Sequence, residues 1–594
     1  MTGYIVDVHL PGPWWNPLAY ASDIPLGEGL RVVVPVGPSH RVGFTGAPSE
    51  PPEGVEIRRI EAVLDERPLL GEDLRELALW ISRRALCSVG TALATMTPKP
   101  LLEGEAFSPD EYEELPKPGQ AFRERLLFNV DEKRRWQVYL EELEGEGRGK
   151  LLLFPEQATA QRFWNQMSVS LRDRGLLWPT QGGKVRWEAW KAVRRGQAHF
   201  VVGSPGALFA PFPSLALIAI EEEGHNSYQP QGGPMVHGRS VAAERARLAG
   251  SLLLLGGGLP SARVYRSRRP PSPKPPKGKI RFVDLRSVPE SLVQGVRDPL
   301  KISESLLEET LSVLKAGKKA LWILDRKGLA GDVSCEDCGS SLTCRRCGAP
   351  NRLSGAGLLC PACGERESLP DQCPRCGGYL LQGNRPGLEA LEEIASALSG
   401  ANLPVRLWHA GLGTGQKRMD DLHSGGVVVG SRGALSLCDK GGVGLVGWID
   451  ADLEARKPFF DARYHAFRMI WESCWRGPDA SPRQVLLQSR SPGKDWQKAL
   501  LLGWDHFWQT ELAEREALAL PPFAALVEIT GRRQTEAILR ALRKAGLEVF
   551  EGELSQSPLW LSCERLSLIR QALEPFFDIS RSRRGFPKLR VWTD

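Results

Sequence analysis

The sequence predicts a multidomain α/β protein: two parallel-sheet lobes in tandem, a metal-held insertion in the second lobe, a β-rich N-terminal domain and an α+β C-terminal domain. Two observations carry this. Continuous apolar runs at 151–154, 200–202, 215–220 and 252–255, and again at 320–324, 427–429, 445–449 and 485–487, have the composition of strands buried on both faces, separated by stretches long enough for helices. Eight of the twelve cysteines crowd between Cys335 and Cys376, inside the second set of runs.

Taken in order, residues 1–97 open with short β-branched pieces at 4–8 and 30–36, then change to helical spacing at Leu74, Leu77, Leu79, Trp80 and Ile81. The pair Trp14 and Trp15 fits core packing somewhat better than base stacking. Residues 98–121 are acidic and proline-bearing, as a linker is. The first lobe follows at 122–262. Within it, 183–197 interleaves Lys184, Arg186, Lys191, Arg194 and Arg195 with Trp187 and Trp190, which share one helix face. A solvated helix with buried tryptophans is the plainer reading; a DNA-tracking helix contacting phosphates through Lys184 and Arg186 is the sharper one.

Residues 262–281 hold eight basic residues, five prolines and no acid, so the linker 263–281 is expected to be extended and strongly positive, with Arg268 and Arg269 available to a phosphate backbone. The second lobe starts at 282–333, is interrupted by the insertion 334–378 and resumes at 379–492. Residues 493–594 form the C-terminal domain and close with Arg581, Arg583, Arg584, Lys588 and Arg590.

With 594 residues, 42% hydrophobic and 25% charged, the chain is several globular domains rather than a small module or a disordered polymer. Its longest apolar stretch falls short of the roughly 18 residues a membrane span needs, and its first residues do not read as a signal peptide. A cytoplasmic protein is expected. The net charge of +6 suits a nucleic-acid partner without requiring one.

The cysteines form four C-x-x-C pairs, each followed by glycine: Cys335/Cys338, Cys344/Cys347, Cys360/Cys363 and Cys373/Cys376. In a cytoplasmic chain this pattern favours metal over disulfides, and eight thiolates fill two closed tetrahedral zinc sites. The pairs can combine in three ways. The short gap after Cys338 disfavours joining the first two, so a nested arrangement is expected: Cys335, Cys338, Cys373 and Cys376 on one zinc, and Cys344, Cys347, Cys360 and Cys363 on the other. Iron–sulfur ligation is the competing chemistry, and regular glycine-bearing knuckles fit zinc better. Cys87, Cys438, Cys474 and Cys563 are isolated and expected to be packed.

Read together with its flanking phrases, the eight-cysteine insertion resembles the PriA family, the bacterial replication-restart DNA helicases. IEAVLDERPLL (60–70), GSPGALFAPFP (203–213), LALIAIEEEGHNSY (215–228), VGWIDADL (446–453) and TELAEREALALPPF (510–523) are similar to family landmarks, in order, across nearly the whole chain. The resemblance implies two RecA-like helicase lobes and an N-terminal domain that recognises a DNA 3′ end. Pocket positions that carry over are Tyr20, Gly37 and Arg58; the aromatic and acidic pair before the tyrosine is replaced by Leu18 and Ala19.

The nucleotide elements depart from the family. The phosphate-loop stretch reads FNVDEKRRWQVY (128–139): it has no glycine, Arg135 stands at the lysine position, Trp136 at the hydroxyl position, and Asp131 and Glu132 lie where phosphates would. The Asp-Glu-Glu-His motif appears as Glu221, Glu222, Glu223 and Gly224, with His225 displaced by one place. The arginine-rich motif of the second lobe retains only Arg476, and 430–443 lacks the expected lysine, glycine and histidine.

The expectation is a PriA-like restart protein that binds branched, forked and single-stranded DNA and nucleates primosome assembly without unwinding. It carries two zinc ions, has no catalytic residues, and does not bind ATP or Mg²⁺ at the degenerate site around Arg135, Glu221, Glu222 and Arg476. By resemblance its protein partners are helicase-loading and primosome proteins and single-strand-binding protein; it is expected to be a nucleoid-associated monomer with no membrane contact. The alternatives are an active ATP-dependent 3′-to-5′ helicase and a zinc-bearing protein-interaction scaffold.

Overall fold

The computed structural model describes the chain except residues 1–3, 51–55, 108–120, 231, 289–291, 294–295, 298–299, 326–329, 336, 339, 347, 355–356, 361–362, 380, 400–404, 409–425, 458, 480–481, 532–533, 552–557 and 580–584. Cys347, Arg581, Arg583 and Arg584 therefore lie outside the described residues. The chain divides into two compact units, 1–270 with 511–594, and 271–510. Among the described residues no helix is long and apolar enough to cross a membrane.

In the first unit, the N-terminal strands Tyr4–His9, Leu18–Ser22, Arg31–Val36, Ser39–Pro48 and Ala62–Val63 form one antiparallel sheet, followed by the helices Glu72–Arg84 and Val89–Met96. The apolar runs of the first lobe become a six-stranded parallel sheet in the order Arg123–Phe128, Leu252–Gly257, Leu217–Ile220, Lys150–Leu153, Phe200–Gly203 and Gly175–Leu177. Both faces are covered, which is why the runs show no alternation. Leu151, Leu153, Ile218 and Ile220 pack into one core and Leu152, Phe154, Leu217 and Ala219 into the other. The C-terminal residues add the antiparallel strands Ala525–Thr530, Phe550–Glu551, Leu559–Cys563 and Lys588–Trp592.

The second unit holds the other parallel sheet, ordered Ile280–Asp284, Gln484–Ser489, Val443–Trp448, Lys319–Ile323, Val427–Gly430 and Val405–Trp408. The cysteine-rich insertion is a small antiparallel sheet with an apolar cluster of Val333, Leu342 and Leu358. The chain thus carries two parallel six-stranded sheets and a cysteine-rich insertion in the second, and this α/β multidomain architecture agrees with the sequence.

One stretch differs from expectation. Residues expected to be extended begin instead as the helix Ala262–Arg268: Ser261 accepts the Val264 amide as N-cap, and Ala262, Val264 and Tyr265 are buried. The prolines then end the helix, and 270–276 carries no regular structure.

Candidate functional site

Between the strand Arg123–Phe128 and the helix Glu132–Glu144 stand only Asn129, Val130 and Asp131, too little chain to wrap a phosphate. Asp131 caps the helix, its carboxylate accepting the Lys133 amide at 3.0 Å, so an acid holds the end of the helix where an anion would be received. Glu132 in the next position forks onto Arg162, whose guanidinium lies 4.4 Å from the Trp136 ring centroid.

Arg135 points inward. Its Nη2 reaches Glu221 Oε1 at 2.6 Å and Glu222 Oε1 at 3.1 Å, its Nε donates to Glu221, and Nη1 donates to the Asn129 carbonyl. The Tyr139 hydroxyl donates to Glu221 Oε2 at 2.8 Å, and the Gly258 amide donates to Glu222 at 2.8 Å. Burial lifts the Glu221 carboxyl above its ordinary value, with Arg135 acting against it. Burial also opposes the Arg135 charge, but Glu221 and Glu222 outweigh it and hold that guanidinium above its ordinary value. The third acid, Glu223, accepts the Ser261 amide at 2.6 Å and pairs with Arg239 at 2.9 Å. His225 serves as N-cap of the short turn Asn226–Tyr228. Glu221, Glu222 and Glu223 are thus each engaged by a cation and, for Glu222 and Glu223, also by a backbone amide.

The second lobe repeats the logic. Arg476 forks onto Asp439 at 2.7 and 2.8 Å, and Arg483 donates to the Arg476 carbonyl and to Asp479. Asp439, Tyr139 and Asn129 were not singled out by sequence reasoning; the available signal was the appearance of Asp439 and Asp131 within stretches already recognised as altered.

The cysteines meet as the nested pairing requires. Cys335, Cys338, Cys373 and Cys376 form one group and Cys344, Cys360 and Cys363 another, with ligand atoms within 4.8 Å in each. The Sγ atoms of Cys335 and Cys376 lie 3.6 Å apart, those of Cys338 and Cys373 3.8 Å, and those of Cys344 and Cys363 3.6 Å. A tetrahedron with metal–sulfur bonds of about 2.3 Å has edges of about 3.8 Å, so the donors fit zinc. The Arg346 and Arg375 amides face the Cys344 and Cys373 sulfurs at 3.4 Å, and Gly348, Gly364 and Gly377 take φ near +75° to close the knuckles. All-cysteine sites leave no open coordination position; zinc bound there would supply folding energy, not chemistry.

The DNA candidates occupy three places in the first unit. Around the 35–37 turn, the buried Tyr20 donates to the Pro35 carbonyl at 3.0 Å, and the exposed Arg58 donates to the Gly37 carbonyl at 3.1 Å. Burial pushes the Tyr20 phenol above its ordinary value, with Arg58 opposing. Lys184 and Arg186 are exposed on the first turn of the helix Lys184–Arg194, whose Trp187 and Trp190 are buried. Arg268 ends its helix beside Glu124 at 3.3 Å, and Arg269 is the left-handed cap. Trp14 and Trp15 are core residues: Trp15 stacks on Phe577 at 4.1 Å.

Comparison with known proteins now gives these features a context. Residues 7–98 match the model of the PriA 3′DNA-binding domain (3′BD). Replication restart protein PriA of Treponema pallidum is 25% identical, aligned over 85% of this chain and 83% of its own length. PriA of Bacillus subtilis is 25% identical over 68% of this chain and 52% of its own, and PriA of Rickettsia conorii is 24% identical over 90% and 88%. The chain thus spans about half the length of the Bacillus relative. Among solved structures, the DUF1998 helicase MrfA bound to DNA is 10% identical with a TM-score of 0.34, covering 84% of this chain and 64% of that one.

Proposed function

Because the chain belongs to the PriA family, we propose that it acts in replication restart by binding branched DNA at stalled or abandoned forks and helping to assemble the machinery that reloads the replicative helicase, without unwinding DNA itself. The N-terminal domain, through the turn braced by Tyr20, Gly37 and Arg58, meets the strand end. Lys184, Arg186, Arg268 and Arg269 add phosphate contacts that orient the DNA and carry no sequence preference. Two zinc ions fix the insertion, one on Cys335, Cys338, Cys373 and Cys376, the other on Cys344, Cys360, Cys363 and Cys347. The partners that follow from this role are loader and primosome proteins and single-strand-binding protein.

The observation that carries the absence of a motor is the solvent-excluded Arg135–Glu221 pair. Phosphate binding needs a loop of amides and a free cation, and catalysis needs an acid free to hold metal or orient water. Here the cation and the acid consume one another. Freeing them would leave two buried charges unpaired, a penalty of several kcal/mol per ion by general estimate.

The test is nucleotide binding and fork binding on one preparation. The proposal expects submicromolar fork binding at low salt and no ATP turnover with or without DNA. DNA-stimulated hydrolysis abolished by Glu222→Gln would establish the helicase reading instead. Equal, negligible binding of fork and duplex would leave a protein-interaction scaffold.

A further inference from the structure

The strand Arg31–Val36 runs directly into the turn at Gly37 that Tyr20 and Arg58 brace. At its other end the Arg31 side chain is shut away from solvent, and its Nε and Nη2 donate to Asp65, Nη2 at 2.7 Å. The remaining nitrogen, Nη1, donates to the carbonyls of Leu101 at 2.7 Å and Glu105 at 3.0 Å. A buried guanidinium short of an acceptor is costly, so these two carbonyls complete Arg31.

The same short stretch, 101–107, packs onto the helix Lys184–Arg194. The Glu105 carboxylate accepts the Trp187 indole N–H at 2.8 Å. Phe107, 7% exposed, meets Trp187 and Trp190 edge to face, each at 5.6 Å, and the Arg195 guanidinium lies 5.6 Å from its ring. Trp187 and Trp190 stand three residues apart and so share the face that receives it. At the far end of the helix Arg194 donates to the Leu69 carbonyl at 2.8 Å. Leu101 and Phe107 belong to one apolar cluster with Leu74, Leu77, Trp187 and Trp190.

A continuous path therefore joins two groups far apart in sequence. It leads from the Gly37 turn along one strand to Arg31, through its hydrogen bonds to 101–105, and through Glu105 and Phe107 to the helix whose first turn exposes Lys184 and Arg186. Two separate grips on one DNA reinforce each other when the spacing between them is held, because making the first raises the effective concentration of the second. Holding that spacing in advance also removes an ordering cost from binding.

We propose that residues 101–107 are a positioning strap: Glu105 and Phe107 hold the Lys184–Arg194 helix in register with the Gly37 turn, so that the strand end and the duplex backbone of one fork are gripped together. The strap rests on the DNA-binding reading above for the two groups it aligns.

The test uses the full chain and fluorescence anisotropy with three probes: a single-stranded oligodeoxythymidylate with a free 3′ end, a duplex with both 3′ ends blocked, and a fork with a free 3′ end at its junction. Glu105→Ala and Phe107→Ala are each expected to weaken fork binding about tenfold and to leave the two simpler probes within about twofold of the parent. Glu105→Gln, whose amide oxygen still accepts the indole proton, should bind all three as the parent does. Without DNA, amide hydrogen exchange across 184–194 should quicken in Phe107→Ala while the parallel sheet stays protected. Fork affinity unchanged in both alanine variants would overturn the proposal, as would an equal loss on all three probes, which marks a role in stability alone. A parent chain that binds none of the probes would instead sink the DNA-binding reading, and this use of the strap with it.

Discussion

Arg135 and Glu221 form a forked ion pair closed off from solvent, 4% and 2% exposed, joining the helix Glu132–Glu144 to the end of the strand Leu217–Ile220. Tyr139 and the Asn129 carbonyl satisfy the remaining valences, and Glu222, held at φ 52°, adds a second carboxylate.

Removing one partner of such a pair leaves an uncompensated buried charge. Arg135→Ala is therefore expected to destabilise the first lobe by about 3–5 kcal/mol, seen as a lower urea midpoint by tryptophan fluorescence. Arg135→Met combined with Glu221→Leu should recover most of that loss, because well-packed apolar residues often replace a buried pair at little net cost. If the single change costs less than the double, the pair is not closed as described.

Asp594 is tied to Arg239, Arg263 and Ser240. Burial pushes its carboxyl up, but Arg239 and Arg263 outweigh burial and hold it well below the usual carboxylate range. A depressed folded value means the stabilisation is complete above the unfolded value of about 3.9 and is lost only as pH falls from there toward the folded value. Asp594→Asn is accordingly expected to cost about 1.5–3 kcal/mol at pH 7, with a smaller gap from the parent at pH 3. Thermal melts at the two pH values check it; a gap that widens on acidification contradicts it.

Among the described residues, the buried apolar cluster of the insertion is Val333, Leu342 and Leu358, too little to fold 45 residues unaided. Chelation, or Cys344→Ser, is expected to raise amide hydrogen exchange across 334–378 while the parallel sheets stay protected. Retained protection in metal-free protein would contradict the structural role of zinc.

The parallel sheets were legible because both faces are buried and the apolar runs are therefore unbroken, as at Leu151 and Leu152, which serve opposite cores. The groups formed by the seven described cysteines of the insertion follow the nested order expected from their spacing. The fate of Arg135 was only half legible. Missing glycines marked the loop as altered, but the Glu221 partnership joins residues 86 apart in sequence and emerges only when the sheet sets the helix Glu132–Glu144 beside the end of Leu217–Ile220, with the strand Leu252–Gly257 lying between that strand and Arg123–Phe128. The basic stretch after 262 misled because its charge outweighed a local signal, Ser261 ahead of three apolar residues, that caps a helix. The interleaved tryptophans at 187 and 190 illustrate the converse: helical spacing gave their shared face, and burial assigned it to the core.

The most direct measurement is calorimetric titration of Mg²⁺–ATP into the full chain, alone and with saturating forked DNA. The account predicts no binding heat in either case, with the Arg135–Glu221 pair intact. Micromolar ATP binding that disappears on Arg135→Ala, while fork affinity is unchanged, would contradict it.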